Sequence, residues 1–149
     1  MNILEKCRKK QNDIYGEPSV TIVFLGDSVT QGCFECYKKA DSIETVFDAA
    51  SAFGARLKYM LNLLYPKIQV NVIDSGISGD SAKGGLKRIE RDVLRFAPDL
   101  VVVGFALNDS TRGREAAEDY EKDLTEIVER VKSAGSECIL LTPNAMCTG

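Results

Sequence analysis

PDLVVVGFAL, Pro98 to Leu107, is apolar at nearly every position. A strand with one wet face alternates apolar and polar side chains, whereas a run without alternation belongs to a parallel strand covered on both faces. The run is therefore expected in the interior of a sheet. Three further β-rich runs accompany it: VTIVFLG from Val20, KIQVNVID from Lys67 and ECILLT from Glu137. Between the first and second, Phe53, Leu57, Met60, Leu61 and Leu64 form one helical stripe that stops before Pro66. Leu86, Ile89, Val93 and Phe96 repeat the pattern ahead of Pro98. Ala117, Tyr120, Leu124, Ile127, Val128 and Val131 repeat it ahead of Gly135, the expected helix C-cap. The order β-α-β-α-β-α-β predicts an α/β fold, a three-layer α/β/α sandwich around a flavodoxin-like parallel sheet.

The chain has 149 residues, enough for one domain with a substantial core. Residues 20–149 are expected to form it, with 1–19 as a short amphipathic or frayed lead-in. Apolar residues make up 44% and charged residues 28%, a balance that excludes a disordered or collagen-like chain. With a net charge of −3 and no basic tract, the sequence carries no electrostatic footprint for nucleic acid and no polybasic membrane anchor. No apolar run approaches the length of a membrane-spanning helix. The expected partner is a small molecule, with neither nucleic acid nor membrane; the oligomeric state stays open. Five cysteines without a secretory signal favour reduced thiols and a cytoplasmic location.

Ligands in open α/β sheets bind outside the carboxyl ends of the strands. Three loops therefore matter: GDSVTQG after the first run, DSGISGDSAKGG after the second and ALNDSTRG after the third. Ser28, just past a strand end, can point its hydroxyl into the crevice. Gly76 and Gly79 let backbone approach a substrate, and a glycine N–H can serve an oxyanion. Asn108 can offer a side-chain N–H to the same oxygen. Blander readings stand beside these. Ser28 can be a turn serine, Asn108-Asp109 a turn or helix cap, and Asp27 a residue that holds the turn. Asp74 and Asp80 flank the second loop and can cap the helix around Leu86.

Taken together, GDS with Ser28, SGD with Gly79 and LND with Asn108 resemble the first three sequence blocks of the SGNH (GDSL) hydrolases, in order and each after the right strand. The resemblance runs from Val20 onward and implies the SGNH hydrolase fold. It further implies a serine esterase or acylhydrolase working through an acyl-enzyme on Ser28. The oxyanion hole would comprise the N–H groups of Ser28 and Gly79 and the Asn108 side chain. The implied substrate is a small carboxylic ester, an O-acyl carbohydrate or short-chain lipid ester, and no cofactor or metal is implied.

Two departures stand out. Ala106 occupies the position where the third block usually has glycine. The last block, D-x-x-H, is missing, and the chain contains no histidine at all. The apolar run CILLT wants cover on both faces, yet only Pro143 to Gly149 follow it. The expectation is an SGNH domain truncated after its fourth strand and inactive alone for want of a histidine. The alternative is a degenerate, non-catalytic relative that binds small molecules in the same pocket.

Cys33-Phe34-Glu35-Cys36 is a C-x-x-C and supplies a rival reading, a thiol oxidoreductase. Against it, the pair falls in what reads as a long loop, Gln31 to Asp48, short of the helix that would acidify a thiol. A zinc site would need further ligands from Cys7, Cys138, Cys147 or carboxylates. SGDSAKGG with Lys83 could act as an anion nest, but it lacks the P-loop spacing.

Overall fold

The computed structural model of the chain describes residues 2–143. Helix α1 (Ile3–Asn12) precedes β1 (Val20–Gly26) and the one-turn helix α2 (Ser28–Gln31). A hairpin of β2 (Cys33–Lys39) and β3 (Ser42–Phe47) follows, then α3 (Phe53–Leu64), β4 (Val70–Gly76) and α4 (Ala82–Asp92). The remaining elements are β5 (Leu100–Gly104), one-turn α5 (Leu107–Ser110), α6 (Ala117–Ser133) and β6 (Glu137–Leu140).

The four apolar runs form one sheet in the order β4-β1-β5-β6, with every pairing parallel. β5, the strand without alternation, lies inside the sheet as its composition requires, and four of its five residues are buried. Helices cover both faces. Val23, Leu25, Val101 and Val103 meet Ile89 of α4 and Ile127 and Val131 of α6. Ile22, Phe24, Leu100 and Val102 meet Leu61 of α3 and Cys7 of α1 on the opposite face. This is the expected three-layer sandwich. β6 forms one edge, and its Ile139 and Leu140 are about half exposed.

The N-terminal stretch is not frayed. Asn2 and Glu5 form a reciprocal capping box, which satisfies orphan donors at the start of α1. Cys7 is fully buried, and Lys6 pairs with Asp99 ahead of β5. The segment expected to be a long loop after α2 is instead largely the β2–β3 hairpin. Its side chains are mostly exposed on both faces, so no alternation announced it. Gly135 adopts φ +84 just past the α6 C-cap, the left-handed conformation for which its glycine was read. Among the described residues, no helix is long and apolar enough to cross a membrane.

Candidate active site

Each letter of Gly26-Asp27-Ser28 has a local cause. A Cβ on Gly26 would lie 2.0 Å from Thr30 Oγ1 and 2.6 Å from the Gly104 carbonyl, so only glycine lets α2 fold back over the strand end. The Asp27 carboxylate accepts from the Val29 N–H at 2.9 Å and caps α2. Ser28 is thereby placed in the first helical turn beyond β1, half-buried at the carboxyl edge of the sheet.

The second loop packs against the first. A Cβ on Gly76 would stand 2.3 Å from the Gln31 nitrogen and 2.9 Å from the Asp27 carbonyl. Gln31 Oε1 accepts from the Ser78 N–H at 2.8 Å. Gly79 differs from Gly76: its φ is +78, and nothing lies within 4 Å of where a Cβ would project. Among the described residues, no acceptor takes the backbone N–H of Ser28 or Gly79.

The third loop closes the arrangement. Asn108 Nδ2 donates to the Asp80 carbonyl at 2.8 Å, immediately beside Gly79. The neighbouring Asp109 is buried, and its carboxylate accepts from the Ala82 N–H at 3.1 and 3.3 Å, at the start of α4. Burial pushes the Asp109 carboxyl above the usual aspartate range against that hydrogen bond, and burial likewise raises Asp27. Ala106 has φ +154, a conformation that L side chains rarely adopt, at the position where the resemblance expects glycine.

The three sequence-predicted residues, Ser28, Gly79 and Asn108, therefore sit on three loops laced together at one sheet edge. The carboxylates read as helix caps behave otherwise. Ser81 caps α4 through its hydroxyl, which accepts from the Gly84 N–H. Asp80 instead accepts from Arg88 Nε at 2.8 Å, and Asp74 accepts from the Gly76 N–H within its own turn.

Arg88 was missed by sequence reasoning. It is only 8% exposed and donates to the carbonyls of Gly26 (3.0 Å) and Ser75 (2.7 Å) as well as to Asp80 and Asp92. One guanidinium thus ties the ends of β1 and β4 to the second loop. The available signal was its place on α4, one turn from Gly85 and Asp92 and beside Ile89, on the buried side of the helix.

An apolar pocket of about 140 Å³ is lined by Asp27, Val29, Phe53, Phe105, Leu107 and Leu141 among others; it takes in both chain neighbours of Ser28 but not Ser28 itself. No described side chain hydrogen-bonds the Ser28 hydroxyl. Among the described residues, no group of three or more His, Cys, Asp or Glu side chains is placed to hold a metal; Cys147 lies outside the described residues.

A family model described as the GDSL-like Lipase/Acylhydrolase family matches residues 24–149. An acetylxylan esterase of Geobacillus stearothermophilus is 28% identical over 132 residues, covering 82% of this chain and 58% of that protein. Thioesterase 1/protease 1/lysophospholipase L1 of Escherichia coli K12 is 30% identical over 123 residues, covering 81% of this chain and 50% of the relative. The crystal structure of a lipase/acylhydrolase from Enterococcus faecalis superposes with a TM-score of 0.64 at 28% identity, covering 85% of this chain and 58% of that one. The chain thus spans between a half and three-fifths of the length of these relatives. The matched region takes in all three loops, the end of β1 and the whole of β4, β5 and β6, and the chain belongs to the GDSL-like lipase/acylhydrolase family.

Proposed function

We propose that this chain carries the nucleophile and oxyanion hole of a serine esterase that cleaves a small carboxylic ester. Ser28 Oγ attacks the acyl carbon. The oxyanion is held by the N–H groups of Ser28 and Gly79 and by the second N–H of Asn108 Nδ2, whose first is spent on Asp80. The alcohol leaves, and water then clears the acyl-enzyme. The observation that carries this reading is the lacing of three loops at one sheet edge, with two backbone donors that no acceptor among the described residues takes.

The base is the component the sequence does not contain. None of the 149 residues is histidine, so the Ser28 proton passes to a group supplied from outside them. Spanning little more than half of its relatives' length is in keeping with this. The acyl group is read as a short one, as on an O-acylated carbohydrate or short-chain lipid ester, a reading that rests on the family resemblance.

The test uses p-nitrophenyl acetate. A longer protein that joins this chain to its base should turn the ester over, and Ser28→Ala should reduce kcat by at least about 10³-fold. The 149-residue chain alone should stay near background. Wild-type turnover by the longer Ser28→Ala protein would refute the nucleophile.

A further inference from the structure

Cys33 and Cys36 are three residues apart in β2, a spacing that puts side chains on opposite faces of a regular strand. Here the register shifts. Cys33 pairs with Phe47, Glu35 with Val46 and Cys36 with Thr45, so Phe34 is the extra residue of a β-bulge. The partners Phe47 and Thr45 are two apart on β3. The bulge therefore returns both cysteines to one face of the hairpin, and their Sγ atoms lie 3.5 Å apart.

From this juxtaposition we propose that Cys33 and Cys36 are a reversible dithiol/disulfide site that reacts with low-molecular-weight disulfides such as oxidised glutathione. Forming the bond requires the two sulfurs to close from 3.5 Å to about 2.05 Å. Cys36 is exposed and Cys33 half-buried, while Cys7 is fully buried in the core. Cys36 is the more exposed sulfur and meets a dissolved disulfide first, while burial and the contact with Cys36 push the Cys33 thiol up.

The chemistry balances with glutathione disulfide as the oxidant. The Cys36 thiolate attacks one sulfur of the oxidant, forming a mixed disulfide and releasing one glutathione thiolate. Cys33 loses its proton to solvent and attacks Cys36 Sγ, which closes the Cys33–Cys36 bond and releases the second glutathione. Two protein thiols are oxidised and one disulfide is reduced. The bond would clamp the bulge at the root of the hairpin, directly after Gly32, the left-handed cap of α2. The site is independent of the esterase reading, since it needs only the hairpin.

The experiment equilibrates the chain with mixtures of reduced and oxidised glutathione, quenches with acid and reads intact mass and cross-linked peptides. In excess oxidised glutathione the wild type should lose two hydrogens through a Cys33–Cys36 link that excess reduced glutathione reverses. Cys33→Ser should instead accumulate a glutathione adduct on Cys36. The ratio of internal link to adduct in the wild type should be higher in native buffer than in concentrated urea, because the bulge assembles the pair. A stable adduct on wild-type Cys36, a chain that stays reduced, a link to Cys7, Cys138 or Cys147, or a ratio no lower in urea would each overturn the proposal.

Discussion

Asn108 Nδ2 donates to the Asp80 carbonyl across 2.8 Å, so the side chain proposed to hold an oxyanion also holds the loop that carries Gly79. Two jobs on one amide make this residue costly to replace. In a longer protein that includes the base, Asn108→Ala should lower kcat on p-nitrophenyl acetate by about 10²- to 10³-fold. Steady-state kinetics that left kcat unchanged would remove Asn108 from the oxyanion hole.

Arg88 offers a sharper test of the scaffold. Replacing it with Met leaves Asp80 and Asp92 without their buried partner and strips donors from two strand-end carbonyls. The expected loss is roughly 3 kcal/mol of unfolding free energy, seen as a lower urea midpoint. Arg88→Lys should recover little, because one ammonium cannot reproduce the fork.

Gly76 and Gly79 should respond to alanine for different reasons. At Gly79 there is room, and only the positive φ opposes a Cβ, so the cost is about 1 kcal/mol. At Gly76 the obstacle is the backbone of Gln31 and Asp27, which cannot yield without moving α2. Gly76→Ala should therefore be the more destabilising of the two by thermal melting.

Asp109 should make stability depend on pH. Its folded-state pKa is raised by burial, so the fold favours the protonated form. That contribution is complete below about pH 4, the ordinary aspartate value, and is lost as pH climbs through the raised one. Asp109→Asn keeps an acceptor for the Ala82 N–H without the charge. Its stability relative to wild type should rise with pH across this window in urea titrations, and a flat difference would show that the carboxylate is not penalised.

The sandwich was legible because its strands and long helices repeat apolar residues at periods that the backbone dictates. Ile127 announces its burial by helical spacing, and Val101 by sitting in a run with no polar alternation. The β2–β3 hairpin was not legible, since Phe34, Tyr37 and Ile43 are exposed and the bulge at Phe34 breaks whatever alternation remained. That the loops carrying Ser28, Gly79 and Asn108 gather at the carboxyl edge was legible from the order of strands and helices. What holds them was hidden: a charged residue such as Arg88 reads as solvent-facing until its acceptors, the Gly26 and Ser75 carbonyls, are brought to it by folding.

That guanidinium has a consequence for the sheet. By bonding the Gly26 carbonyl, the last of β1, and the Ser75 carbonyl, next to last in β4, Arg88 ties the ends of two adjacent strands to one side chain. A substitution on α4 is thereby felt at two strand ends at once, although neither strand is changed in sequence.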